Sequence, residues 1–500
     1  MLKIVTAQLK VQPGHPSENT ENMLTMIAQA KAQGADLIIF PEMAVPGYLL
    51  GDTWEQYAFL KDCEECGQDI INASQDIAII FGNVAVDWEK KNYDGRVRKY
   101  NALFTAWQGK LVQPRNMPYP YVIKTLLPNY REFDDTRYFF GLKQLAEEMG
   151  TQAAKLIGTV PLTIKGQDYN IGGFLCEDGW SEDYNLAPVE ILTRQGVDML
   201  VNISASPYTL GKNGKRHRVF GKQAKAAGVP LFYVNNVGIQ NNGKTVYTFD
   251  GSSTLYNGQG LMVDCLPKYQ QGMGIYELDK IQAMPKFQRE KKPDIAHIFT
   301  AIEYAVKEFL ADIHMDKVVI GISGGIDSAV AAALYAHILG PEKVLLVNMP
   351  SVYNSATTKG LAQELAVNLG CNYTIMPIQE SVDHTIDQLE HIPVTFLKDG
   401  SKFNLQVSSF VAENIQARDR SARVLAGAAA AFGGGFTCNA NKAETTVGYS
   451  TLYGDQSGFL CALADLWKHQ VYDLARYMNQ VVYGREVVPQ ATIDIVPSAE

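Results

Sequence analysis

The chain has 500 residues, of which 46% are hydrophobic and 19% charged, a composition typical of folded globular proteins and not of disordered ones. The formal net charge is −9 without a long block of like charge, which counts against extended binding to nucleic acid or to an anionic membrane. The sequence has no apolar run of membrane-spanning length, no signal-peptide pattern and only seven scattered cysteines, so we expect a cytoplasmic protein.

The apolar pattern changes near residue 285. Before this point, short apolar strands are separated by turn residues and a few helices. Within 101–112, the pair Gln108 and Gly109 predicts a tight antiparallel hairpin. After Pro293, long helical patterns alternate with single buried strands, which predicts parallel β-α-β units. The stretch 285–294, rich in charge and proline, is typical of a linker between the two halves.

Three polar residues of the first half lie in apolar or aromatic surroundings. Glu42 ends an apolar strand, Lys124 lies among aromatic residues and prolines, and Cys176 follows a second apolar strand. Taken singly, such a cysteine is more often a small buried hydrophobe and such a lysine a surface side chain. Together they supply what thiol-dependent amide hydrolysis needs, namely a nucleophile, a base for its proton and a cation for the oxyanion.

The segments around these residues resemble a known family. In chain order they read FPEMAVPGY, KTLLPNYREFDD and FLCEDGW, and they resemble the nitrilase (carbon–nitrogen hydrolase) superfamily. The second segment is similar to the glutaminase domain of glutamine-dependent NAD synthetases. The resemblance implies that Glu42 is a general base, that Lys124 stabilises the oxyanion and that Cys176 is acylated by glutamine.

The same resemblance implies residues around the three. Tyr130, Ser206 and Lys212 fall where the family contacts glutamine. Glu132 matches the spacing of a supporting glutamate in other nitrilases. Asp135 stands where the family usually has a glutamate, and we assign it no role.

A second motif lies in 317–339, which reads as a buried strand, the turn SGGIDS and a helix. Gly324 and Gly325 let backbone N–H groups approach an anion at the helix N-terminus, and Ser323 and Ser328 add hydroxyl donors. This pattern predicts a site for ATP or pyrophosphate, although it is neither a Walker A loop nor a dinucleotide fingerprint. A plain glycine turn between strand and helix is the alternative.

SGGIDS resembles the pyrophosphate loop of N-type ATP pyrophosphatases, which cleave ATP between its α and β phosphates. Downstream, ENIQARDR, NKAETTVGYSTLYGD and ADLWKHQVYDLA resemble the motifs of NAD synthetases in their order. The resemblance implies the following ATP contacts: Gly321, Ser323, Gly324, Gly325, Asp327, Ser328 and Asn439. It implies contacts to deamido-NAD at Asn414, Arg418 and Glu444, and Mg²⁺ ligands at Asp327 and Glu444. Asn439 departs from the threonine that is usual there.

The resemblance also implies the fold. We expect an α/β protein with an α-β-β-α nitrilase-like sandwich over 1–275, a linker over 276–292 and a doubly wound, Rossmann-like parallel sheet over 293–500. In the family a further stretch follows Pro-Ser-Ala-Glu, so the second domain is expected to be C-terminally short.

These features predict a glutamine-dependent NAD synthetase, in which ammonia from glutamine amidates ATP-activated deamido-NAD. The products are NAD, AMP, pyrophosphate and glutamate, and we expect a homo-oligomer. One alternative is a nitrilase-type amidase whose second half binds nucleotide without turnover, and another is a nucleotide-sensing or assembly module.

Two further patterns are interpreted as unrelated to metal or nucleic-acid binding. Cys63 and Cys66 form a helical CxxC that we interpret as a surface coincidence, because no second pair follows at metal spacing. The basic run 212–218 is predicted to be a loop around the glutamine pocket.

Overall fold

The chain divides into two units between Lys291 and Lys292. The computed structural model describes residues 2–131, 133–241, 243, 245–351 and 356–495. Glu132 and the C-terminal Pro-Ser-Ala-Glu, which the sequence analysis singled out, lie outside the described residues.

The first unit contains largely buried β-strands and amphipathic helices. Its strands are β1 Lys3–Gln8, β2 Leu37–Ile39, β3 Ala78–Lys91, β4 Val97–Trp107, β5 Lys110–Leu111, β6 Val122–Ile123, β7 Val160–Ile164, β8 Gln167–Leu175, β9 Met199–Ser204, β10 Leu231–Asn235, β11 Val237–Asn241, β12 Val246–Asp250, β13 Thr254–Tyr256, β14 Met262–Cys265 and β15 Gly272–Glu277. Its α-helices are α1 Pro16–Ala32, α2 Tyr57–Asn72, α3 Asp135–Tyr138, α4 Leu142–Glu148, α5 Ala153–Leu156, α6 Pro188–Arg194 and α7 Lys212–Ala227.

Two sheets form the centre of this unit. The first has the strand order β15-β1-β2-β3-β4-β5, with β6 paired to β4, and the second has the order β14-β13-β10-β9-β8-β7. Their inner faces share one apolar core, to which Ile39 contributes from the first sheet and Val201 from the second. Helices α1 and α2 pack on the outer face of the first sheet, and α6 and α7 on that of the second. The predicted α-β-β-α sandwich is therefore confirmed.

The hairpin and the linker predicted from the sequence both fall within or at the end of this unit. Strands β4 and β5 form the predicted hairpin, and its turn residues Gln108 and Gly109 have φ of 53° and 73°. The range 276–292, predicted as a linker, begins within β15 and continues in a 3₁₀ helix, Leu278–Ala283. Ile281 of that helix is buried in the core between the sheets. Residues 284–293 carry neither helix nor strand.

The second unit alternates strands with longer helices. Its strands are β16 Val318–Gly321, β17 Val344–Asn348, β18 Asn372–Ile375, β19 Val394–Phe396, β20 Ser401–Phe403 and β21 Gly435–Phe436. Its α-helices are α8 Asp294–Asp312, α9 Ile326–Leu339, α10 Ala356–Leu369, α11 Gln379–His391, α12 Ser409–Arg418, α13 Ala426–Phe432, α14 Lys442–Val447, α15 Lys468–Tyr477 and α16 Gln490–Asp494.

A parallel sheet with the order β18-β17-β16-β21 carries this unit. Alternate residues of β16 point to opposite faces: Val318 packs with α8, α9 and α15, whereas Val319 packs with α13. The sheet is thus covered on both faces, and the predicted doubly wound fold is confirmed. The chain proceeds from β16 to β17 on one side and returns to β21 on the other, so the strand order reverses at β16. In the described part of the chain, no helix combines the length and the apolar character that crossing a membrane requires.

Candidate active sites

The first candidate site lies where strands of both sheets end. Glu42 follows β2, Lys124 follows β6, and Cys176 opens a 3₁₀ helix, Cys176–Gly179, directly after β8. The position of Glu42 depends on Gly82 in β3, because a Cβ there would lie 2.6 Å from the Cα of Glu42 and 2.4 Å from the next amide nitrogen. A glycine at this position lets the chain after β2 pass directly over β3.

Glu42 and Lys124 form a buried ion pair, with 2.9 Å between Lys124 Nζ and Glu42 Oε1. Asn101 donates its amide to the same oxygen at 2.7 Å. The backbone N–H of Ala205, just after β9, donates to Glu42 Oε2 at 2.7 Å. One carboxylate therefore binds groups from both sheets. Such a fully satisfied arrangement holds Glu42 in a single orientation.

Asp135 and Tyr48 complete the surroundings of Lys124, and neither was assigned a role from the sequence. Lys124 Nζ lies 2.8 Å from Asp135 Oδ2, and the Tyr48 hydroxyl donates to Asp135 Oδ1 at 2.5 Å. Burial acts to lower the pKa of Lys124, but the charges of Asp135 and Glu42 hold it well above its usual value. Lys124 is consequently an ammonium group at neutral pH. The pair Asp134–Asp135 in the sequence gives no sign of which aspartate is buried.

Cys176 is placed on a sharp turn. Its φ of 34° lies in the left-handed region, which is strained for a residue with a side chain. Burial and the charge of Glu42 raise the pKa of the thiol, while Lys124 acts to lower it. Because both charges act on the thiol, the structure brings the three predicted residues together. The resting nucleophile is a thiol, so its proton has to leave as it attacks.

Asp178 connects the lysine segment to the cysteine turn, a connection that sequence reasoning missed. Its carboxylate accepts the backbone N–H groups of Leu126 at 2.7 Å, Thr125 at 3.0 Å and Leu175 at 3.3 Å. Burial raises the pKa of Asp178 to about 7, against the opposing effect of these hydrogen bonds. This one side chain fixes the residues after Lys124 relative to Cys176.

The residues predicted to contact glutamine lie around the same turn. The Tyr130 hydroxyl is 3.1 Å from both carboxylate oxygens of Glu177, the residue after the cysteine. Tyr184 donates to Glu177 at 2.9 Å. Lys212 lies at the start of α7 and its charge acts on the Cys176 thiol. Ser206 is buried, and its backbone N–H donates to Asn235 Oδ1 at 2.9 Å.

Two sequence interpretations were wrong here. The basic run 212–218 is not a loop but the first two turns of α7, because Arg216 turns inward and lies 3.5 Å from the buried Asp250. Cys63 and Cys66 lie on α2, as predicted, but both are buried and not on the surface. They belong to two different apolar cores, so they pack as small hydrophobic side chains.

The second candidate site is the turn between β16 and α9, at the point where the strand order reverses. Open α/β sheets bind ligands at this position. Gly324 has a φ of 92°, and a Cβ on it would lie 2.2 Å from the carbonyl oxygen of Thr358. The Ser323 hydroxyl accepts the N–H of Gly325 at 3.2 Å, and Ser328 donates to the Gly325 carbonyl at 3.0 Å. The serines thus brace an open turn at the N-terminus of α9, a helix of 14 residues.

The residues after β21 meet this turn. Asn439 donates to the carbonyl of Gly321 at 3.0 Å. Asn441, which caps α14, donates to Asp327 Oδ1 at 2.9 Å. Lys468 forms ion pairs with Asp327 and with Glu444, the latter at 3.5 Å. The structure therefore brings the two predicted metal ligands to one cation, through contacts with Asn441 and Lys468 that the sequence analysis did not name.

Asn414 and Arg418 lie one turn apart on α12. The carboxamide oxygen of Asn414 accepts the hydroxyl of Thr451 at 3.0 Å, and Arg418 Nε lies 3.3 Å from the carbonyl of Leu452. Both therefore contact one segment of the chain, which follows α14. In the described part of the chain, neither side chain forms a hydrogen bond with the SGGIDS turn.

Comparison with known proteins covers both units. The carbon–nitrogen hydrolase family model matches residues 3–286, and the NAD synthase family model matches residues 298–500. The glutamine-dependent NAD(+) synthetase of Synechocystis sp. is 33% identical over 100% of this chain and 84% of its own length. The enzyme of the same name from Acinetobacter baylyi is 30% identical over 100% of this chain and 83% of its own length.

A solved structure supports the same relationship. The glutamine-dependent NAD+ synthetase of Acinetobacter baumannii, in complex with ADP, has a TM-score of 0.81 and 29% identity, and it is matched over 100% of this chain and 85% of that one. The likeness extends through both units, as do the sequence matches. The chain accordingly belongs to the family of glutamine-dependent NAD(+) synthetases.

Proposed function

We propose that the first unit hydrolyses the amide of glutamine and that the second uses the released ammonia to convert deamido-NAD to NAD with ATP. The observation that carries the proposal is the buried cluster of Glu42 and Lys124 at the Cys176 turn, in a chain that also has a phosphate turn at its sheet switch point. The relatives called glutamine-dependent NAD(+) synthetases match this chain over both of its units.

In the first unit, Glu42 takes the Cys176 proton as the sulfur attacks the carboxamide carbon. The tetrahedral oxyanion is stabilised by the Lys124 ammonium, which Asp135 and Glu42 keep charged. Glu42 then gives the proton to the departing nitrogen, so ammonia leaves and a thioester remains. A water molecule, deprotonated by Glu42, releases glutamate and restores the thiol. The Glu177 carboxylate, close to the thiol, is suited to the α-ammonium group of glutamine.

In the second unit, the backbone N–H groups of the SGGIDS turn and the N-terminus of α9 are suited to the phosphates of ATP. Asn439 and Asn441 hold the end of β16 and Asp327 in place. Asn414 and Arg418 are proposed to bind deamido-NAD, because they present an amide and a guanidinium on one face of α12. Attack of the deamido-NAD carboxylate on the α phosphorus releases pyrophosphate and leaves an acyl adenylate, which ammonia converts to NAD and AMP.

Mg²⁺ is part of this proposal. Asp327 and Glu444 converge on one cation, the Lys468 ammonium, and carboxylate oxygens are the ligands that Mg²⁺ prefers. When bound there, the ion offsets the charge that develops on the leaving pyrophosphate. Lys468 contributes a second positive charge on the same side of the turn.

Amide transfer tests the proposal directly. The amide nitrogen of ¹⁵N-labelled glutamine should appear in NAD when ATP, Mg²⁺ and deamido-NAD are supplied, and Cys176→Ala should abolish this transfer. The variant should still make NAD from ammonium salts, because the second unit does not use the thiol. Cys265→Ala, at a cysteine of the same unit away from the turn, is the matched control. Persistent glutamine use by Cys176→Ala would contradict the nucleophile assignment. Unlabelled NAD from active protein would contradict the coupling.

A homo-oligomer and a cytoplasmic location remain predictions from the sequence. Analytical sedimentation of the purified protein measures the oligomeric state, and fractionation of the producing cell measures the location.

A further inference from the structure

Two cysteines of the second unit lie side by side, and the proposed reaction uses neither. Cys438 and Cys461 pair in an isolated parallel β-bridge, and both are free thiols. Paired strands lie about 4.7–4.9 Å apart. This separation falls within the Cα–Cα range of about 4.4–6.8 Å that a disulfide spans. The two backbones are therefore already close enough for a bond between the sulfurs.

The surroundings make the two thiols unequal. The adjacent Cys461 side chain lowers the pKa of Cys438 to about 7, and the adjacent Cys438 side chain together with burial raises the pKa of Cys461. Cys461 Sγ donates to the carbonyl of Ala440 at 3.1 Å, and Cys438 Sγ donates to the carbonyl of Asp455 at 3.4 Å. Cys438 is buried and Cys461 is partly exposed, but the thiolate is the nucleophile, so Cys438 is assigned the first attack and Cys461 the resolving role.

We propose that Cys438 and Cys461 form a redox-modification site that a hydroperoxide converts to a disulfide. The Cys438 thiolate attacks a peroxide oxygen, the O–O bond breaks, and a sulfenic acid and one water (after proton uptake) result. Cys461 then attacks the Cys438 sulfur, the S–O bond breaks, and hydroxide leaves with the Cys461 proton as a second water. Two thiols and one hydrogen peroxide thus give one disulfide and two waters, and an external dithiol reverses the change.

The site is connected to the phosphate turn through the residues that follow Cys438. Asn439 holds the carbonyl of Gly321, and Asn441 holds Asp327. Because the backbones already lie within disulfide range, the sulfurs, about 2.0 Å apart in a disulfide, come together by side-chain rotation, and the Ala440 carbonyl loses its thiol donor. Ala440 lies between Asn439 and Asn441, and a misplacement of positioning residues by about 1 Å can cost about 100-fold in rate. On the proposed function, oxidation should reduce NAD synthesis at least tenfold.

Peptide mapping tests the site without any activity. The full chain is treated with hydrogen peroxide, remaining thiols are alkylated, and the protein is digested with trypsin. Cleavage after the basic residues leaves Cys438 alone in peptide 424–442 and Cys461 alone in peptide 443–468. The expected product is one cross-linked species of these two peptides that dithiothreitol separates. Oxidation of Cys438 to a sulfinic acid without the cross-link would overturn the proposal.

Activity is measured in parallel with ammonium as the nitrogen source, which bypasses Cys176. Peroxide should suppress synthesis by the native chain, and dithiothreitol should restore it. Cys438→Ser and Cys461→Ser should each resist peroxide, whereas Cys371→Ser, at another cysteine of the same unit, should stay sensitive. A cross-link that leaves synthesis unchanged would refute the regulatory consequence. If the reduced chain made no NAD, the proposed function would fail while the peptide map still decided the site.

Discussion

Replacing Asp135 by asparagine tests the buried cluster around Lys124 at the residue to which the sequence assigned no role. Asp135 is 4% exposed and lies 2.8 Å from Lys124 Nζ, so Asp135→Asn removes one of two carboxylates that neutralise a fully buried ammonium. Breaking such a pair costs about 3–5 kcal/mol. At about 2–4 °C per kcal/mol, the melting temperature of the first unit should fall by about 6–20 °C. Because Lys124 loses its second anchor, kcat for glutamine hydrolysis should fall about 100-fold.

The assay separates this effect from general damage. Glutamate release and ammonium-driven NAD synthesis are measured below the melting transition of the variant, and only glutamate release should decline. Asp134→Asn is the matched control, because Asp134 is the adjacent aspartate and is exposed. Wild-type glutaminase rates and an unshifted melting temperature in Asp135→Asn would show that Lys124 does not need the second carboxylate.

The substitutions Asp178→Asn and Gly324→Ala have expected outcomes that follow from the structure. Burial raises the pKa of Asp178 from 3.8 to about 7, so the folded chain keeps a proton there at a pH where the unfolded chain has lost it. The contribution of this group to the free energy of unfolding therefore falls as the pH rises from about 4 to about 7. Melting curves across this range should show that Asp178→Asn removes this part of the slope; an unchanged slope would contradict it. Gly324→Ala would put a Cβ 2.2 Å from the Thr358 carbonyl, at a strain of about 1–3 kcal/mol, and should weaken ATP binding about tenfold. Calorimetric titration measures this loss against Gly325→Ala, where the nearest atom is a serine hydroxyl at 3.3 Å; equal losses would refute the steric reasoning.

Features that depend on neighbouring residues could be predicted from the sequence. The hairpin at Gln108–Gly109 follows from turn chemistry, and the SGGIDS turn follows from glycines between a strand and a helix. The positions of Glu42 and Cys176 after strands are likewise local. The resemblance then indicated that these ends meet, which spacing alone does not show.

Features that depend on distant partners could not be predicted. Tyr48 and Asp135 are 87 residues apart, and nothing near either marks their hydrogen bond. The run 212–218 looked like a solvated loop because the pattern of charges does not reveal that Arg216 has Asp250 as a buried partner. Cys63 and Cys66 were misplaced for the same reason, since the cores that cover them come from other parts of the chain.

The hydrogen bond from Ala205 to Glu42 has a practical consequence. That amide proton is donated to a carboxylate that is also held by the opposite sheet, so its exchange with solvent requires this hydrogen bond between the sheets to break. Its deuterium uptake therefore reports the assembly of the general base in the unliganded chain. One resonance or peptide mass would distinguish a variant that has lost a reacting group from one whose sheets have come apart.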